Sequence, residues 1–508
     1  KTPRGFAPQE RDPSMSSTKL LAGTTARALR VLRTVVDGRR KLEPTWEHEC
    51  KRERLAPHGK RLLRDICSGT LRWLDYYSRL IDYVAPPRLS DDLDLRLVMA
   101  STLYQTESME NAPANEKLFS AAAHACAELG KPGMSNPVQT TCERIVNMSF
   151  EQRRRASTDA SIYSLPEWMY SILERDPMAT SWLKLRGHLI LERPDFLNVV
   201  VPPTAMYGGP SEYAKLLREH ADLGAAPSTY APHGVLIDSR PRHVEALHGV
   251  SQKVVHIQDG AQQYACSVLS PLGAGARILD ACAAPGGKSR SLLHHHPGAH
   301  VVAVDTSAAK VAAMRSSLLQ EGTASGGADG GLGQDRRERL RVLHADVTDV
   351  STWWDGEAFD AILVDVPCSA SGLLRTVPEV KAHRSKADVA QLRKVQMSML
   401  SGLWKLLRPG GELLYTTCSI LTDENDVNVA TFLKRNADAS ALEVPLPSKG
   451  THKDRRLYAR RRKNGAVIFY PSEIHQGGYT ALLQKGGGAK ADGGGWTEDG
   501  DGIKRRVL

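Results

Sequence analysis

Two cysteines stand in short motifs that suit nucleophilic chemistry. Cys368 follows Pro367, and Cys418 stands between Thr417 and Ser419. Each motif comes shortly after an apolar segment typical of a β-strand, so both thiols are predicted beyond the carboxyl ends of strands, where the active sites of parallel sheets lie. A lone cysteine is more often a small buried hydrophobe than a nucleophile. Two cysteines in equivalent positions favour catalysis.

A reaction that uses two thiols is the methylation of cytosine at carbon 5. That carbon is too weakly nucleophilic to take a methyl group directly, so a thiolate must first add to carbon 6. An acid near N3, a position that suits Asp365, would neutralise charge on the ring. A base must then remove the carbon 5 proton so that the thiol can leave. Chemistry alone leaves open which of Cys368 and Cys418 attacks.

A tight loop of small residues follows the first predicted strand of the same region. It consists of Cys282, Ala283, Ala284, Pro285, Gly286, Gly287 and Lys288. Small side chains let backbone amides approach a ligand closely, and the start of the next helix favours an anionic group. The alternatives are a turn without a ligand and a dinucleotide or phosphate loop, although neither Walker A spacing nor the usual GxGxxG is present.

Acidic residues end the predicted strands. Asp305 ends the second strand roughly 20 residues after the glycines, where a carboxylate can accept hydrogen bonds from both ribose hydroxyls. Asp346 follows the third strand and suits an adenine amino group, and Asp365 ends the fourth. With Asp280, four strand-terminal carboxylates are predicted at one edge of the sheet. Any one of them can be a cap or a loop-stabilising residue, but together they favour nucleoside binding.

Strands alternate with helices from Ala276 onward, which predicts a doubly wound, largely parallel sheet of the Rossmann-like α/β class. The predicted strands are residues 277–281, 300–305, 341–344, 359–365 and 411–416.

The rest of the chain divides by composition. Helical apolar stripes predict an all-α domain over 20–155, and prolines separate the short elements of an α+β connecting subdomain over 160–265. The sheet domain is predicted over 266–485. A Gly-rich insertion at 322–333 and a Gly-rich tail at 486–508 are predicted to be flexible.

The composition narrows the class of protein. With 41% hydrophobic and 24% charged residues and no apolar run long enough to cross a bilayer, a membrane protein is not expected. The eight cysteines have no spacing typical of zinc or disulfides, which predicts no metal and a reducing compartment. The net charge of +10 favours a polyanionic partner. The basic run Arg460–Lys463, with Arg455 and Arg456, is interpreted either as a phosphate contact or as a solvated loop.

The amino-terminal stretch from Met15 to Val36 is rich in Ser, Thr and Arg and lacks acidic residues, as transit peptides do. Its apolar spacing also fits an ordinary first helix, which is the interpretation that we favour. We expect a cytoplasmic protein, or one of the mitochondrial matrix if a missing amino terminus carried a transit peptide.

Over most of its length the chain resembles the Sun family of RNA 5-methylcytosine methyltransferases, most closely its bacterial type that methylates 16S ribosomal RNA. The most specific matches are residues 279–288, residues 365–372 and residues 417–419. In this family the cysteine of the later motif, here Cys418, is the nucleophile, and the Pro-Cys cysteine, here Cys368, assists release.

The resemblance implies S-adenosylmethionine as the cofactor and RNA, specifically small-subunit rRNA, as the partner. The helical region resembles the NusB-like RNA-binding domain at Ser68–Arg72 and Leu103–Gln105. Leu165–Trp168 and Ile257–Gln263 resemble family segments that precede the catalytic sheet. At Gln476–Tyr479 the sequence departs from the Gly-Asp-Gly-aromatic pattern of the family, although a closing strand is still predicted after it. The region of residues 107–115 also departs from the NusB-like pattern, and these departures bear on the RNA target more than on the reaction.

The leading hypothesis is an active S-adenosylmethionine-dependent RNA (cytosine-5)-methyltransferase that works as a monomer. The alternative is a catalytically weak or inactive RNA-binding ribosome assembly factor, against which the intact Cys418, Cys368 and Asp365 argue. A small-molecule methyltransferase would explain the sheet but neither the NusB-like domain nor the paired cysteines.

Overall fold

A computed structural model describes most of the chain. The described residues are 17–109, 112–202, 207–239, 241, 244–319, 338–447, 456–486, 496–498 and 504–506. The chain forms two compact units, Lys1–Tyr170 with Val377–His383 and Ser171–Thr376 with Arg384–Leu508. The predicted insertion at 322–333 lies outside the described residues, as does most of the predicted tail. No helix within the described ranges is long and apolar enough to cross a membrane.

The first unit is built from helices, as predicted. They are α1 Ser17–Val36, α2 Leu42–Arg52, α3 Pro57–Val84, α4 Pro87–Ser90, α5 Leu93–Glu107, α6 Asn115–Glu128, α7 Ser135–Val146, α8 Phe150–Ala156, α9 Asp159–Ile162 and the start of α10 Glu167–Leu173, with a 3₁₀ turn at Pro132–Met134. Helical spacing places Leu32 of α1, Leu63 of α3 and Leu103 of α5 in one apolar core, where all three are fully buried.

Residues 377–383 return to this helical unit and form the short helix Val380–His383 within it. Lys381 Nζ donates a hydrogen bond to the Arg72 carbonyl at 2.7 Å and pairs with Asp75 at 3.2 Å. Burial lowers the pKa of Lys381, while the Asp75 carboxylate opposes that shift. A buried ammonium needs such partners, so this side chain fixes where the segment packs.

The second unit opens with a small antiparallel sheet in the order β2-β3-β1-β4. Its strands are β1 Leu197–Val200, β2 Ala225–Pro227, β3 Gly234–Ile237 and β4 His256–Ile257, with α11 Pro177–Arg186, α12 Pro210–His220, α13 Gly260–Cys266 and 3₁₀ turns at Gly187–Leu191 and Val244–Ala246. These elements have the α+β character predicted for the connecting region, whose boundaries at 160 and 265 stay a prediction.

The main sheet of the second unit has the order β14-β15-β10-β13-β9-β8-β5-β6-β7. Its strands are β5 Arg277–Ala281, β6 His300–Asp305, β7 Leu340–His344, β8 Phe359–Asp365, β9 Leu407–Thr417, β10 Ala439–Leu442, β13 Gly478–Lys485, β14 Trp496–Glu498 and β15 Lys504–Arg506, and β11 Ala459–Arg461 with β12 Val467–Phe469 forms a hairpin beside β13. The accompanying helices are α14 Gly287–His295, α15 Ala308–Leu319, α16 Lys386–Trp404 and α17 Asp426–Arg435, with 3₁₀ turns at Val350–Thr352 and Ser371–Leu373.

Strands β5 to β9 pair in parallel, which confirms the predicted doubly wound sheet. The chain passes from β5 to β6 and β7 on one side and then to β8 and β9 on the other. The carboxyl end of β5 is therefore a topological switch point, where ligands bind in sheets of this kind. The sequence predicted a strand that begins at residue 411, but β9 begins at Leu407. It is longer because the chain pairs with β8 on both sides of Gly410, with a shift of register between Phe359 and Ala361.

Candidate active site

The loop after β5 has a conformation that depends on glycine. Gly286 has a φ of +105°, which favours glycine, and a Cβ there would stand 2.9 Å from side-chain atoms of both Met314 and Leu318. Helix α14 begins at the next residue, Gly287. The predicted cofactor loop, residues 282–288, therefore passes closely over α15 at Gly286.

The four strand-terminal carboxylates surround Cys282. Burial raises the pKa of the Cys282 thiol to about 12, and four carboxylate charges add to that shift, those of Asp365, Asp305, Asp280 and Asp346. The structure thus brings together the acidic residues that the strand ends predicted. Cys282 itself stays a thiol in this negative environment.

Asp305 and Asp346 each hold a loop in place and can still accept further hydrogen bonds. Asp305 accepts hydrogen bonds from the backbone amides of Ala284 at 3.1 Å and Ser307 at 2.9 Å. Asp346 accepts the Thr348 hydroxyl at 2.7 Å and its amide at 2.9 Å, and these bonds lower the pKa of Asp346. A carboxylate has about four acceptor positions, so each can still bind hydroxyl or amino donors of a nucleoside.

Lys288 and Asp365 form an ion pair at the end of β8. Their Nζ and Oδ2 atoms are 2.7 Å apart. Burial would lower the pKa of Lys288, but the charges of Asp365, Cys266 and Asp280 and the hydrogen bond to Asp365 together raise it above its usual value. Lys288 therefore stays protonated, and the predicted loop residue is joined directly to the predicted catalytic acid.

Asp280 is fully buried at the centre of the site. One of its oxygens accepts the Ser289 hydroxyl, whereas Oδ1 is buried without a hydrogen-bond partner among the described residues. Burial raises the pKa of Asp280 to about 7. An unpartnered buried acceptor beside the start of helix α14 fits a ligand that carries its own donor group.

The two predicted catalytic cysteines are in contact. The Sγ atoms of Cys368 and Cys418 are 3.2 Å apart. Cys368 is 8% exposed, and Cys418 is the more accessible of the two. A hydrogen bond to Cys418, burial and the charge of Cys418 together raise the pKa of Cys368 well above its usual value. Cys368 therefore rests as a thiol against Cys418.

A close backbone approach at Gly372 holds the two cysteine loops together. The Gly372 amide donates to the carbonyl of Cys418 at 2.9 Å, and the Gly477 amide donates to the carbonyl of Gly372 at 2.9 Å. A Cβ on Gly372 would stand 2.7 Å from the Gly477 carbonyl and 2.8 Å from the Cys418 carbonyl oxygen. The segment that departs from the family pattern, Gln476–Tyr479, thus still supports the site, and β13 follows it as predicted.

The sequence reasoning missed a group of buried polar residues beneath the cysteines. Gln396, Glu424 and Asn425 are each fully buried and hydrogen-bonded to residues next to Cys368 or Cys418. In the sequence Glu424 and Asn425 precede helix α17 and read as capping residues. Their position shortly after the Cys418 motif was the available signal, but burial is not visible in a sequence.

Two arginines of the basic run at 460–463 make contacts within the protein. Arg462 pairs with Asp176 at 2.8 Å and donates to Asp426 at 2.7 Å, with 11% of its side chain exposed. Arg460 lies 3.9 Å from the ring centre of Tyr458. Arg462 therefore has a structural partner on each side, and Arg455 lies outside the described residues.

The parallel order from β7 to β9, the antiparallel β13 and the loop after β5 define a Rossmann-like methyltransferase fold. The 16S rRNA methyltransferase RsmB/F family matches residues 267–484. The chain is similar to ribosomal RNA small subunit methyltransferase B of Xanthomonas campestris pv. campestris, with 32% identity over 400 residues, covering 78% of this chain and 84% of the relative. The chain belongs to this RsmB/F family.

Two further comparisons agree with this placement. Ribosomal RNA small subunit methyltransferase B of Xylella fastidiosa is 33% identical over 428 residues, covering 82% of this chain and 91% of the relative. The crystal structure of PH0851 aligns with a TM-score of 0.68 and 18% identity, covering 94% of this chain and all of that one. At that identity the likeness concerns the fold.

Replacing Gly372 with alanine should strain the contact between the cysteine loops, because the new methyl group meets backbone atoms that cannot rotate away. We expect a loss of about 2 kcal/mol in the free energy of unfolding of the second unit. The control is Gly402→Ala in α16, where a Cβ meets nothing within 4 Å and the better helix propensity of alanine adds up to about 1 kcal/mol. Denaturant unfolding measures both, and equal stability of the two variants would contradict the account.

Proposed function

We propose that this chain is an S-adenosylmethionine-dependent RNA methyltransferase that forms 5-methylcytosine in small-subunit ribosomal RNA and acts as a monomer through a covalent adduct. The observation that carries the proposal is the 3.2 Å distance between the Sγ atoms of Cys368 and Cys418. Two thiols in contact can act on two adjacent ring carbons of one base. A small-molecule methyltransferase would have no use for this pair.

Cys418 is proposed as the nucleophile. Its sulfur is the more accessible of the pair, and it can accept a hydrogen bond from the thiol of Cys368. Addition of Cys418 Sγ to carbon 6 forms the C–S bond and shifts electron density onto carbon 5. S-adenosylmethionine would supply an electrophilic methyl group to that carbon.

Cys368 is proposed to remove the carbon 5 proton. In the resting pair its pKa is raised by the hydrogen bond to Cys418, by burial and by the charge of Cys418. Bonding of Cys418 to the base removes that charge and that acceptor, so the pKa of Cys368 should fall once the adduct exists. Cys368 can then give its own proton to water and take the proton from carbon 5, and the electron pair of that C–H bond re-forms the ring double bond as the C–S bond breaks and Cys418 leaves as a thiolate.

Asp365 and Lys288 are proposed to serve the ring nitrogen. The ammonium group of Lys288 donates a hydrogen to Asp365, with Nζ and Oδ2 2.7 Å apart. As negative charge builds up on the ring, Asp365 can pass that proton from Lys288 to N3 and return it to Lys288 when Cys418 leaves. The pair carries no net charge beforehand, which suits a neutral base.

The cofactor site is proposed from the donors and acceptors already present. Asp305 would accept the ribose hydroxyls and Asp346 the adenine amino group, while the amides at the start of α14, which begins at Gly287, would bind a carboxylate. The unpartnered Oδ1 of Asp280 fits an amino group. The residues present therefore fit an amino acid attached to a nucleoside.

Ribosomal RNA enters the proposal through the relatives, which are named ribosomal RNA small subunit methyltransferases. The net charge of +10 and the helical first unit, which resembles a NusB-like domain, are consistent with RNA binding. Because the relatives are bacterial, we favour a cytoplasmic site of action over an organelle. The alternative of an inactive assembly factor predicts that the cysteines are dispensable.

The covalent mechanism predicts an adduct that persists when Cys368 is absent. Cys368→Ala protein incubated with S-adenosylmethionine and unmodified small-subunit rRNA should accumulate RNA-linked protein on a denaturing gel, because the carbon 5 proton is not removed. Cys368→Ala/Cys418→Ala protein is the matched control and should give no band. A band that survives loss of Cys418 would overturn the proposed roles, and absence of both adduct and wild-type methyl transfer would favour the assembly factor.

The cofactor site predicts a specific role for Asp305. In Asp305→Asn protein the charge and one acceptor for the ribose are lost, so the Kd for S-adenosylmethionine should rise by roughly 10- to 100-fold, as for the loss of a hydrogen bond to a charged group. Asp355→Asn is the control, since Asp355 pairs with Arg277 at the other end of β5. Isothermal titration calorimetry measures both, and unchanged binding in Asp305→Asn would refute the assignment.

A further inference from the structure

One buried carboxylate receives hydrogen bonds from both cysteine loops. Glu424 is fully buried. Its Oε1 accepts the Ser369 amide at 2.8 Å and the Gln396 side-chain amide at 3.0 Å, and its Oε2 accepts the hydroxyls of Ser369 at 2.5 Å and Ser419 at 2.6 Å. Ser369 directly follows Cys368, and Ser419 directly follows Cys418. A single side chain therefore connects the backbones on which both thiols stand.

Partners of Glu424 hold the other side of each cysteine. Gln396 also donates to the carbonyl of Pro367 at 2.9 Å, so the residues before and after Cys368 are both held. Asn425 accepts the Thr417 hydroxyl at 2.7 Å and donates to the Ser419 carbonyl at 2.9 Å, which does the same for Cys418. Glu424 is the member of this group that contacts both loops.

All four groups that contact the Glu424 side chain are hydrogen-bond donors, which suits a carboxylate. Ser369 Oγ already accepts the Ser371 amide at 3.3 Å, and Ser419 Oγ accepts the Leu421 amide at 3.1 Å. Each hydroxyl can give its hydrogen to Glu424, whose contacts of 2.5 and 2.6 Å are shorter than the 3.3 Å between Ser369 Oγ and Ser419 Oγ. An amide in place of the carboxylate would offer one acceptor oxygen and turn its NH₂ group toward these donors. Charge-assisted bonds are also the stronger kind.

We infer that Glu424 is a positioning residue that keeps Cys368 and Cys418 in contact and thereby sets the geometry of the two-thiol reaction. The inference rests on the proposed function for its catalytic consequence, but the contact between the sulfurs can be measured without RNA or cofactor. The negative charge of Glu424 also contributes to the raised pKa of Cys368.

Cross-linking by diamide reports the contact directly. Diamide accepts two hydrogens, one from each thiol, as the Cys368–Cys418 bond forms, and it becomes a hydrazine. Peptide mass spectrometry of the full chain gives the rate for this one pair of cysteines. Because the reaction within a pair depends on its geometry, we expect Glu424→Gln to slow it by about tenfold or more.

Glu412→Gln is the matched control. Glu412 is also a buried carboxylate, and it accepts the Ser270 amide at 2.9 Å and the Ser270 hydroxyl at 2.6 Å. It lies on the same strand as Thr417 but toward the opposite end of β9. The rate of cross-linking in Glu412→Gln should stay within about twofold of the wild type, because this carboxylate touches neither cysteine loop.

Methyl transfer gives the second readout. Loss of positioning should lower kcat by about tenfold or more in Glu424→Gln while KM for RNA changes little. If Glu424→Gln does not fold, Ser419→Ala removes the bond from Glu424 to the Cys418 loop, together with the contacts of this hydroxyl with Leu421, Ser371 and Ser369, and should slow both reactions.

Two results would overturn the inference. One is a folded Glu424→Gln protein that cross-links its two cysteines as fast as the wild type. The other is an equal loss in Glu412→Gln, which would reduce the effect to that of any buried carboxylate. Absence of methyl transfer in the wild type with normal cross-linking would instead count against the proposed function alone.

Discussion

The parallel pairing of β8 with β9 is the constraint on which the site depends. Asp365, the last residue of β8, is in register with Thr416 near the end of β9. Because parallel strands end at the same edge, the segments that carry Cys368 and Cys418 emerge side by side. Neither motif alone would place its thiol within reach of the other. The pairing of β8 with β5 on its other side adds the cofactor loop to the same edge.

Two different kinds of interaction hold the loops of Cys368 and Cys418 together. At Gly372 the absence of a side chain lets two backbones approach, and at Glu424 four donors converge on one buried charge. The first is a steric condition and the second an electrostatic one. Both hold the backbones of the cysteine loops, while Cys418 stays partly exposed.

The sequence predicted most of the sheet because its strands are short apolar runs with polar ends. Ile278 and Leu279 of β5 and Leu363 of β8 are fully buried, as expected for a parallel sheet covered on both faces. The strand-terminal aspartates could be predicted for the same reason. The start of β9 could not, because the continuation past Gly410 depends on pairing with β8. Glu424 was not predicted because a charged residue is usually exposed. Only the tertiary structure shows that the groups that donate hydrogen bonds to it are buried with it.

The central claim is that Cys418, and not Cys368, bonds to the base. Wild-type protein should be incubated with S-adenosylmethionine and rRNA that contains 5-fluorocytosine. Because the fluorine at carbon 5 cannot be removed as a proton, the adduct should persist. The product is then digested and analysed by mass spectrometry. The account predicts a fluorinated, methylated cytidine attached to the peptide that contains Cys418. Attachment to the Cys368 peptide would contradict it.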